Sequence, residues 1–387
     1  MQTAPEQPAD LHPRIAAFIK EETPPTPCMI LVLDVVEERY RSLAGALPGA
    51  TIFYAVKANP EREVVELLAQ LGASFDVASP AEIDLCLAAG ATPELISYGN
   101  TIKKQGDIAY AYEHGVRLFA FDSAAELHKL AVAAPGAQVF CRLLTSGDGA
   151  DWPLSRKFGC APDMAIDLLV LADQLGLRPH GVSFHVGSQQ RDPAQWEPAI
   201  ARAASVFAAV GEKGIELELL NLGGGLPAQY IDSIPVLDDY LGAIDASLAR
   251  HFGGTRPRII VEPGRYIAGD AGVLHTEVVL VSRKSYADDE RWVYIDTGVF
   301  GGLAETLGEA IKYRLVTSKD GGPTGPVVIA GPTCDSVDVL YQRYHYQLPL
   351  DLDVGDHVTV LSAGAYTKAY CTEEFNGFEP IPAHILR

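Results

Sequence analysis

The sequence predicts an α/β protein: a (β/α)8 TIM barrel followed by a C-terminal all-β domain. Three observations carry that expectation. From about residue 38 to 265, short apolar runs alternate with longer amphipathic stretches at nearly regular spacing, the mark of repeated strand–helix units. Eight such runs can be counted, and eight parallel strands close a barrel. After Gly264 the texture changes to closely spaced strand-like segments with few helical periods, which reads as a separate β domain.

The expected barrel strands are Thr51–Val56, Ala73–Val77, Leu95–Tyr98, Val116–Phe121, Gln138–Leu143, Pro179–His185, Glu218–Leu222 and Arg258–Glu262. They are apolar without strict alternation, as strands buried on both faces are. Between them run amphipathic stretches that predict helices: Glu61–Leu71, Pro80–Ala89, Ala124–Ala134, Pro162–Leu175 and Pro198–Lys213. The expected β segments are Gly272–Ser282, Arg291–Asp296, Gly325–Ala330 and Asp356–Leu361. Met29–Val36 is also β-rich and precedes the first barrel helix, so it is expected to pair with these strands. The domains would then be 38–265 as the barrel, and 1–37 with 266–387 as a β-sandwich or β-barrel.

Composition narrows the function. A formal charge of −20 repels nucleic acid and anionic membrane surfaces, and favours the approach of small cations. The longest apolar runs are strand-length, so no membrane span is expected. The six cysteines form no Cys-x-x-Cys pair, which argues against a zinc site or a disulfide framework; no metal is expected, and the thiols read as reduced. Met1–Pro13 has no basic region leading into an apolar stretch, so a cytoplasmic location is expected.

Chemistry in this fold sits at the carboxyl ends of the strands. Lys57 follows the first strand, Asp76 lies in the second, Arg142 in the fifth, and His185 ends the sixth. Gly223, Gly224 and Gly225 follow the seventh, and Glu262-Pro263-Gly264-Arg265 the eighth. Consecutive glycines let backbone N–H groups approach an anion, and Arg265 adds a forked donor, so a phosphate site is expected there. An amine able to form an imine, a phosphate cradle, a carboxylate and a histidine together describe a pyridoxal 5′-phosphate pocket. Glu262 would hold the pyridine nitrogen protonated, and His185 would lie against the ring.

At this point the chain resembles the fold type III, alanine-racemase-like family of pyridoxal-phosphate decarboxylases, and within it the ornithine/lysine decarboxylases. Seven motifs carry the resemblance in order: Tyr54-Ala55-Val56-Lys57-Ala58-Asn59, Phe75-Asp76-Val77-Ala78-Ser79, His185-Val186-Gly187-Ser188-Gln189, Gly223-Gly224-Gly225, Glu262-Pro263-Gly264-Arg265, Gly331-Pro332-Thr333-Cys334-Asp335 and Gly364-Ala365-Tyr366-Thr367. The resemblance implies that Lys57 carries the cofactor, with Asp76 and Glu82 near it. It implies that Arg142, Ser188, the glycines, Gly264, Arg265 and Tyr366 bind the cofactor, and that Cys334 protonates the substrate carbon once carbon dioxide leaves. Asp296 and Asp335 would receive the distal amine, with Phe375 also in the substrate site. It further implies a homodimer with shared active sites, in which the Cys334-Asp335 segment crosses to the other subunit and Lys157 and Asp338 tie the subunits together.

The implied reaction is decarboxylation of L-ornithine or L-lysine, to putrescine or cadaverine, in polyamine biosynthesis. Asp335 stands where the similar diaminopimelate decarboxylases carry glutamate, and two short carboxylates suit a terminal ammonium. Ornithine and lysine differ by one methylene, worth only ~1–3 kcal/mol in an apolar pocket, so either or both remain open. Arginine or diaminopimelate decarboxylation, a basic amino-acid racemase and a non-catalytic regulator stand as alternatives.

Overall fold

The computed structural model describes residues 11–152 and 156–387, and the chain divides into two compact units. One comprises Glu37–Pro227 with Ile234–Ile267; the other comprises the chain up to Val36, Ala228–Ser233 and Ala268–Arg387. Met1–Pro13, read for targeting signals, lies outside the described residues apart from its last three positions.

The first unit is a closed barrel of eight parallel strands: Ala50–Ala55, Ser74–Val77, Ile96–Tyr98, Leu118–Phe121, Gln138–Arg142, Arg178–Ser183, Leu219–Asn221 and Arg258–Val261. They follow one another around the barrel in sequence order, and the eighth closes on the first with Ile259 opposite Ala50. Phe53, Leu118, Ala120, Phe140, Leu219 and Ile260, from five of the strands, form one buried cluster, so the barrel is packed rather than hollow. The helices Arg62–Gln70, Pro80–Ala88, Ala124–Ala133, Pro162–Gln174 and Trp196–Gly211 lie where periodicity places them. Two of them start at serine caps: Ser79 Oγ accepts from the Glu82 N–H, and Ser123 Oγ from the Glu126 N–H. Gln105–Glu113 and Leu237–Phe252 are helices beyond those expected.

The second unit is built on an eight-stranded sheet. Gly272–Ser282, Arg291–Ile295, Thr324–Ala330 and His357–Val360 match the expected segments, and Leu315–Thr317, Val339–Pro349 and Ala383–Leu386 add to them. Cys28–Val32 pairs antiparallel with Gly272–Ser282 and parallel with Ala383–Leu386, as its β-rich sequence suggests. That strand stops early, however: a helix, Leu33–Ala46, starts where Met29–Val36 reads as continuous strand. The reason lies downstream, where Val36, Tyr40 and Leu43 recur at i, i+4 and i+7 and are buried, with charged residues between them. The unit also carries a helix, Pro13–Glu22, so it is not wholly β. Its core runs through Leu274, Val293, Ile329, Tyr341 and Val358. Among the described residues, no helix is long and apolar enough to cross a membrane.

Candidate active site

The barrel strands end in a cluster of ionisable groups. Lys57 sits in a tight turn, Val56–Ala58, directly after the first strand, with its side chain half exposed and its Nζ 3.5 Å from Asp76 Oδ2. Asp76, in the second strand, is 5% exposed. Its carboxyl has room because residue 99 is glycine: a Cβ there would fall 1.9 Å from Asp76 Oδ1. Burial raises the Asp76 pKa, opposed by the Lys57 and Arg142 cations. Glu82, also raised by burial, accepts the Ala78 N–H at 2.6 Å, just ahead of its own helix. The guanidinium of Arg142, the last residue of the fifth strand, lies 5.0 Å from the centre of the Phe158 ring. Burial lowers its pKa, while Glu262, Asp76 and Asp122 act in the opposite sense.

His185 follows the sixth strand. Its Nδ1 accepts the Gly187 N–H at 3.0 Å, which assigns the ring proton to Nε2. Burial, reinforced by Arg142, Lys57 and Arg265, lowers its pKa to about 3, so the imidazole is neutral at physiological pH. Glu262 behaves oppositely. Burial and the Asp76 carboxylate raise its pKa to about 7, against the pull of Lys57, the Asn221 hydrogen bond and Arg142.

The glycine turn is sterically obligatory. A Cβ would fall 2.2 Å from Phe184 O at Gly223, 2.7 Å from Glu262 O at Gly224 and 2.8 Å from Gly187 O at Gly225. Gly223 and Gly225 also have positive φ, +65° and +115°. Close by in function, Arg265 is 3% exposed and donates to Ser188 Oγ through Nε at 3.2 Å and Nη2 at 3.0 Å. Gly264 precedes it in the turn after the eighth strand.

The remaining expected site residues lie in the sheet-based unit. Asp296 follows a strand end, accepts the Glu277 N–H at 3.1 Å and has a pKa raised by burial. It lines a cavity of about 300 Å³ together with Phe300, Phe375, Phe378 and Thr333. The Phe300 and Phe375 rings lie 4.6 Å apart. Cys334 and Asp335 are not on that wall. Cys334 is exposed, with its N–H on Asn376 Oδ1, and Asp335 Oδ1 accepts the Val337 N–H in a local turn. Tyr366 has a left-handed backbone, φ +56°, and its ring packs edge-on against Tyr370. Asp338 is 2% exposed and ties its loop to a separate segment, accepting from the Val299 N–H as well as from the Thr333 N–H and hydroxyl. Lys157 belongs to the barrel unit, where its Nζ lies 4.8 Å from the Phe158 ring centre.

Sequence reasoning passed over Asn221. It ends the seventh strand, donates to Glu262 Oε1 at 2.5 Å and accepts the Gly223 N–H at 2.9 Å. The signal was the one that picked out Lys57: a polar residue closing an apolar strand, here next to the glycines.

With this geometry in view, the comparisons are specific. Residues 33–269 match the family model described as pyridoxal-dependent decarboxylase, pyridoxal binding domain. The lysine/ornithine decarboxylase of Selenomonas ruminantium is 36% identical over 94% of this chain and 90% of its own. Antizyme inhibitor 2 of Xenopus laevis is 36% identical over 91% and 78%. The crystal structure of lysine/ornithine decarboxylase from Vibrio vulnificus complexed with cadaverine superposes with a TM-score of 0.86, at 32% identity, over 97% of this chain and 98% of that one. The chain belongs to the fold type III pyridoxal-phosphate-dependent ornithine/lysine decarboxylase family.

It is a decarboxylase, and its cofactor is pyridoxal phosphate. The residues present fit that group: an amine suited to the aldehyde, a buried carboxyl held by Asn221 and able to accept a ring N–H, and, for the phosphate, an all-glycine turn with a Ser–Arg pair.

Proposed function

We propose that the protein decarboxylates a basic L-amino acid, L-lysine and/or L-ornithine, releasing carbon dioxide and cadaverine or putrescine. The observation that carries this reading is the Lys57–Asp76 pair at the mouth of a barrel that also presents Glu262 and the Gly223–Gly225 turn. Pyridoxal phosphate, when bound, supplies an aldehyde that captures amines and a ring that accepts the electrons freed as a carboxylate leaves.

The chain's own residues take the following parts. The Lys57 amine would hold the cofactor by its aldehyde and would exchange there with the substrate and product amines. Glu262, when ionised, would keep a proton on the pyridine nitrogen, and its hydrogen bond from Asn221 favours that ionised form against the desolvation that opposes it. Neutral His185 presents a flat, uncharged face to the ring without adding positive charge. Ser188, Gly223–Gly225, Gly264 and Arg265 would anchor the phosphate, and Arg142 and Asp76 would help to hold the cofactor.

Asp296 sits in a cavity walled by Phe300 and Phe375, a setting that suits a terminal ammonium through both charge and aromatic faces. Asp335 adds a second carboxylate, and the Cys334 thiol delivers a proton to the substrate Cα. Exposure of Cys334, and of Val337 at 52%, supports a homodimer in which this segment serves the Lys57 of the other subunit. The regulator reading draws on the likeness to the Xenopus inhibitor; the Lys57–Asp76 pair and the buried Glu262–Asn221 bond oppose it.

The test is kcat/KM for L-lysine, L-ornithine and L-arginine on the pyridoxal-phosphate-loaded protein, with the products identified. Cadaverine or putrescine with equimolar carbon dioxide is expected. Racemised amino acid without carbon dioxide, agmatine as the main product, or no turnover would each overturn the proposal.

A further inference from the structure

Asn221 is 1% exposed, and both ends of its side-chain amide are used. Nδ2 donates to Glu262 Oε1 at 2.5 Å, and Oδ1 accepts the Gly223 N–H at 2.9 Å. The amide can satisfy both partners in one orientation only, because the flipped one would set oxygen against carboxylate and NH2 against N–H. The backbone repeats the link: the Glu262 N–H donates to Gly223 O at 2.8 Å, and the Leu222 N–H to Ile260 O at 2.9 Å. One buried side chain thus spans the turn after the seventh strand and the carboxyl after the eighth.

Resting on the reading that this mouth holds pyridoxal phosphate, we infer that Asn221 is a positioning residue that fixes the Glu262 carboxyl and the Gly223 turn relative to each other. The ring-nitrogen partner and the phosphate cradle are then set by one amide. Asn221 suits this role because it is neutral and donates whatever the charge on Glu262, whereas an aspartate there would donate only when protonated. Its bond favours the ionised Glu262 against the desolvation that opposes it. A buried amide with both ends satisfied is also rigid, since breaking either bond leaves a buried polar group unpaired.

Asn221→Asp separates the two halves of this role: its oxygen can still accept from Gly223, but the donor to Glu262 is lost and two buried carboxylates face each other. Apo protein is titrated with pyridoxal phosphate and with phosphate-free pyridoxal, followed by fluorescence quenching and by the absorbance of the bound chromophore. Asn221→Asp is expected to weaken both ligands by a similar factor, roughly tenfold to a hundredfold, and to shift the pH at which the bound ring nitrogen loses its proton. Asn221→Ala, which also frees the Gly223 turn, is expected to weaken pyridoxal phosphate more than pyridoxal.

In a Glu262→Gln background, the Asn221→Asp effect on pyridoxal should largely disappear. Should Asn221→Asp not fold by circular dichroism, Asn221→Leu, a side chain of similar size that withdraws the donor without adding charge, is expected to lose affinity for pyridoxal in the same direction. Wild-type affinity and an unshifted spectrum in whichever variant folds, or an undiminished effect in Glu262→Gln, would overturn the inference. A wild-type protein that takes up no pyridoxal phosphate would instead overturn the functional reading.

Discussion

The barrel mouth and the Asp296–Cys334 region of the sheet-based unit both hold residues expected to act on one substrate, yet they are built differently. At the mouth, the groups are closely coupled before any ligand is considered. Asp76 meets Lys57, Asn221 meets Glu262 and Gly223, and Arg265 meets Ser188; burial displaces the pKa values of Asp76, His185 and Glu262. In the other region, Cys334 is exposed, Asp335 is engaged in a local turn, and Asp296 opens into a cavity. A cofactor site must be preorganised to set the electronics of its ligand, so its residues are locked within one chain. The groups left exposed are those proposed to find their target across a dimer.

That contrast can be broken at several points. The largest effect is expected from Cys334→Ala: kcat should fall ~10²–10⁴-fold, the range for loss of a positioned proton donor, while affinity for pyridoxal phosphate stays at the wild-type level. Steady-state kinetics and a cofactor titration check this together. Wild-type turnover with clean diamine product would remove Cys334 from the mechanism.

Next comes Glu309→Ala. The Glu309 carboxylate accepts the N–H groups of Gln342, Arg343 and Tyr344, pinning its segment to an irregular stretch of strand. Its loss should cost about 0.5–1.5 kcal/mol, because the exposed N–H groups of Gln342 and Arg343 can turn to water, seen as a lower Tm in apo protein. Because Glu309 belongs to the other unit, pyridoxal phosphate affinity should hold, and a matching loss of that affinity would blur the contrast.

The smallest effect concerns pH. Glu262 is raised from 4.5 to about 7, so the folded state binds its proton more tightly than the unfolded chain does. Its contribution to stability therefore falls as pH rises from 4.5 toward 7. His185, lowered from 6.5 to about 3, acts with opposite sign: its contribution is present above 6.5 and is lost as pH falls toward 3. Apo Glu262→Gln should then lose less stability than wild type between pH 5 and 7, measured by denaturant unfolding at each pH. Identical slopes would show that Glu262 is not the buried, displaced acid described here.

The barrel was legible because strands buried on both faces write uninterrupted apolar runs, and strand ends announce themselves by the polar residues that follow, as at Lys57 and His185. What escaped depends on context. The apolar run Met29–Val36 changes from strand to helix at Leu33, and only the spacing of Tyr40 and Leu43 beyond it reveals the switch. Val339–Pro349 hides because its tyrosines, glutamines and histidine do not read as a hydrophobic strand, although Tyr341 and Tyr346 are core residues. Within the site, Lys57, His185 and Glu262 could be picked out as residue types with known chemistry. Asn221 carried the same strand-end signal as Lys57, but its residue type names no chemistry, and its importance lies in a hydrogen bond between two strand ends.

The central claim is that the amine of Lys57 is the group that binds the cofactor covalently. Borohydride reduction of the reconstituted protein, followed by peptide mapping, is expected to place the pyridoxyl group on the peptide containing Lys57, and Lys57→Ala should yield no adduct. An adduct on another lysine, or none in fully loaded wild-type protein, would contradict the account.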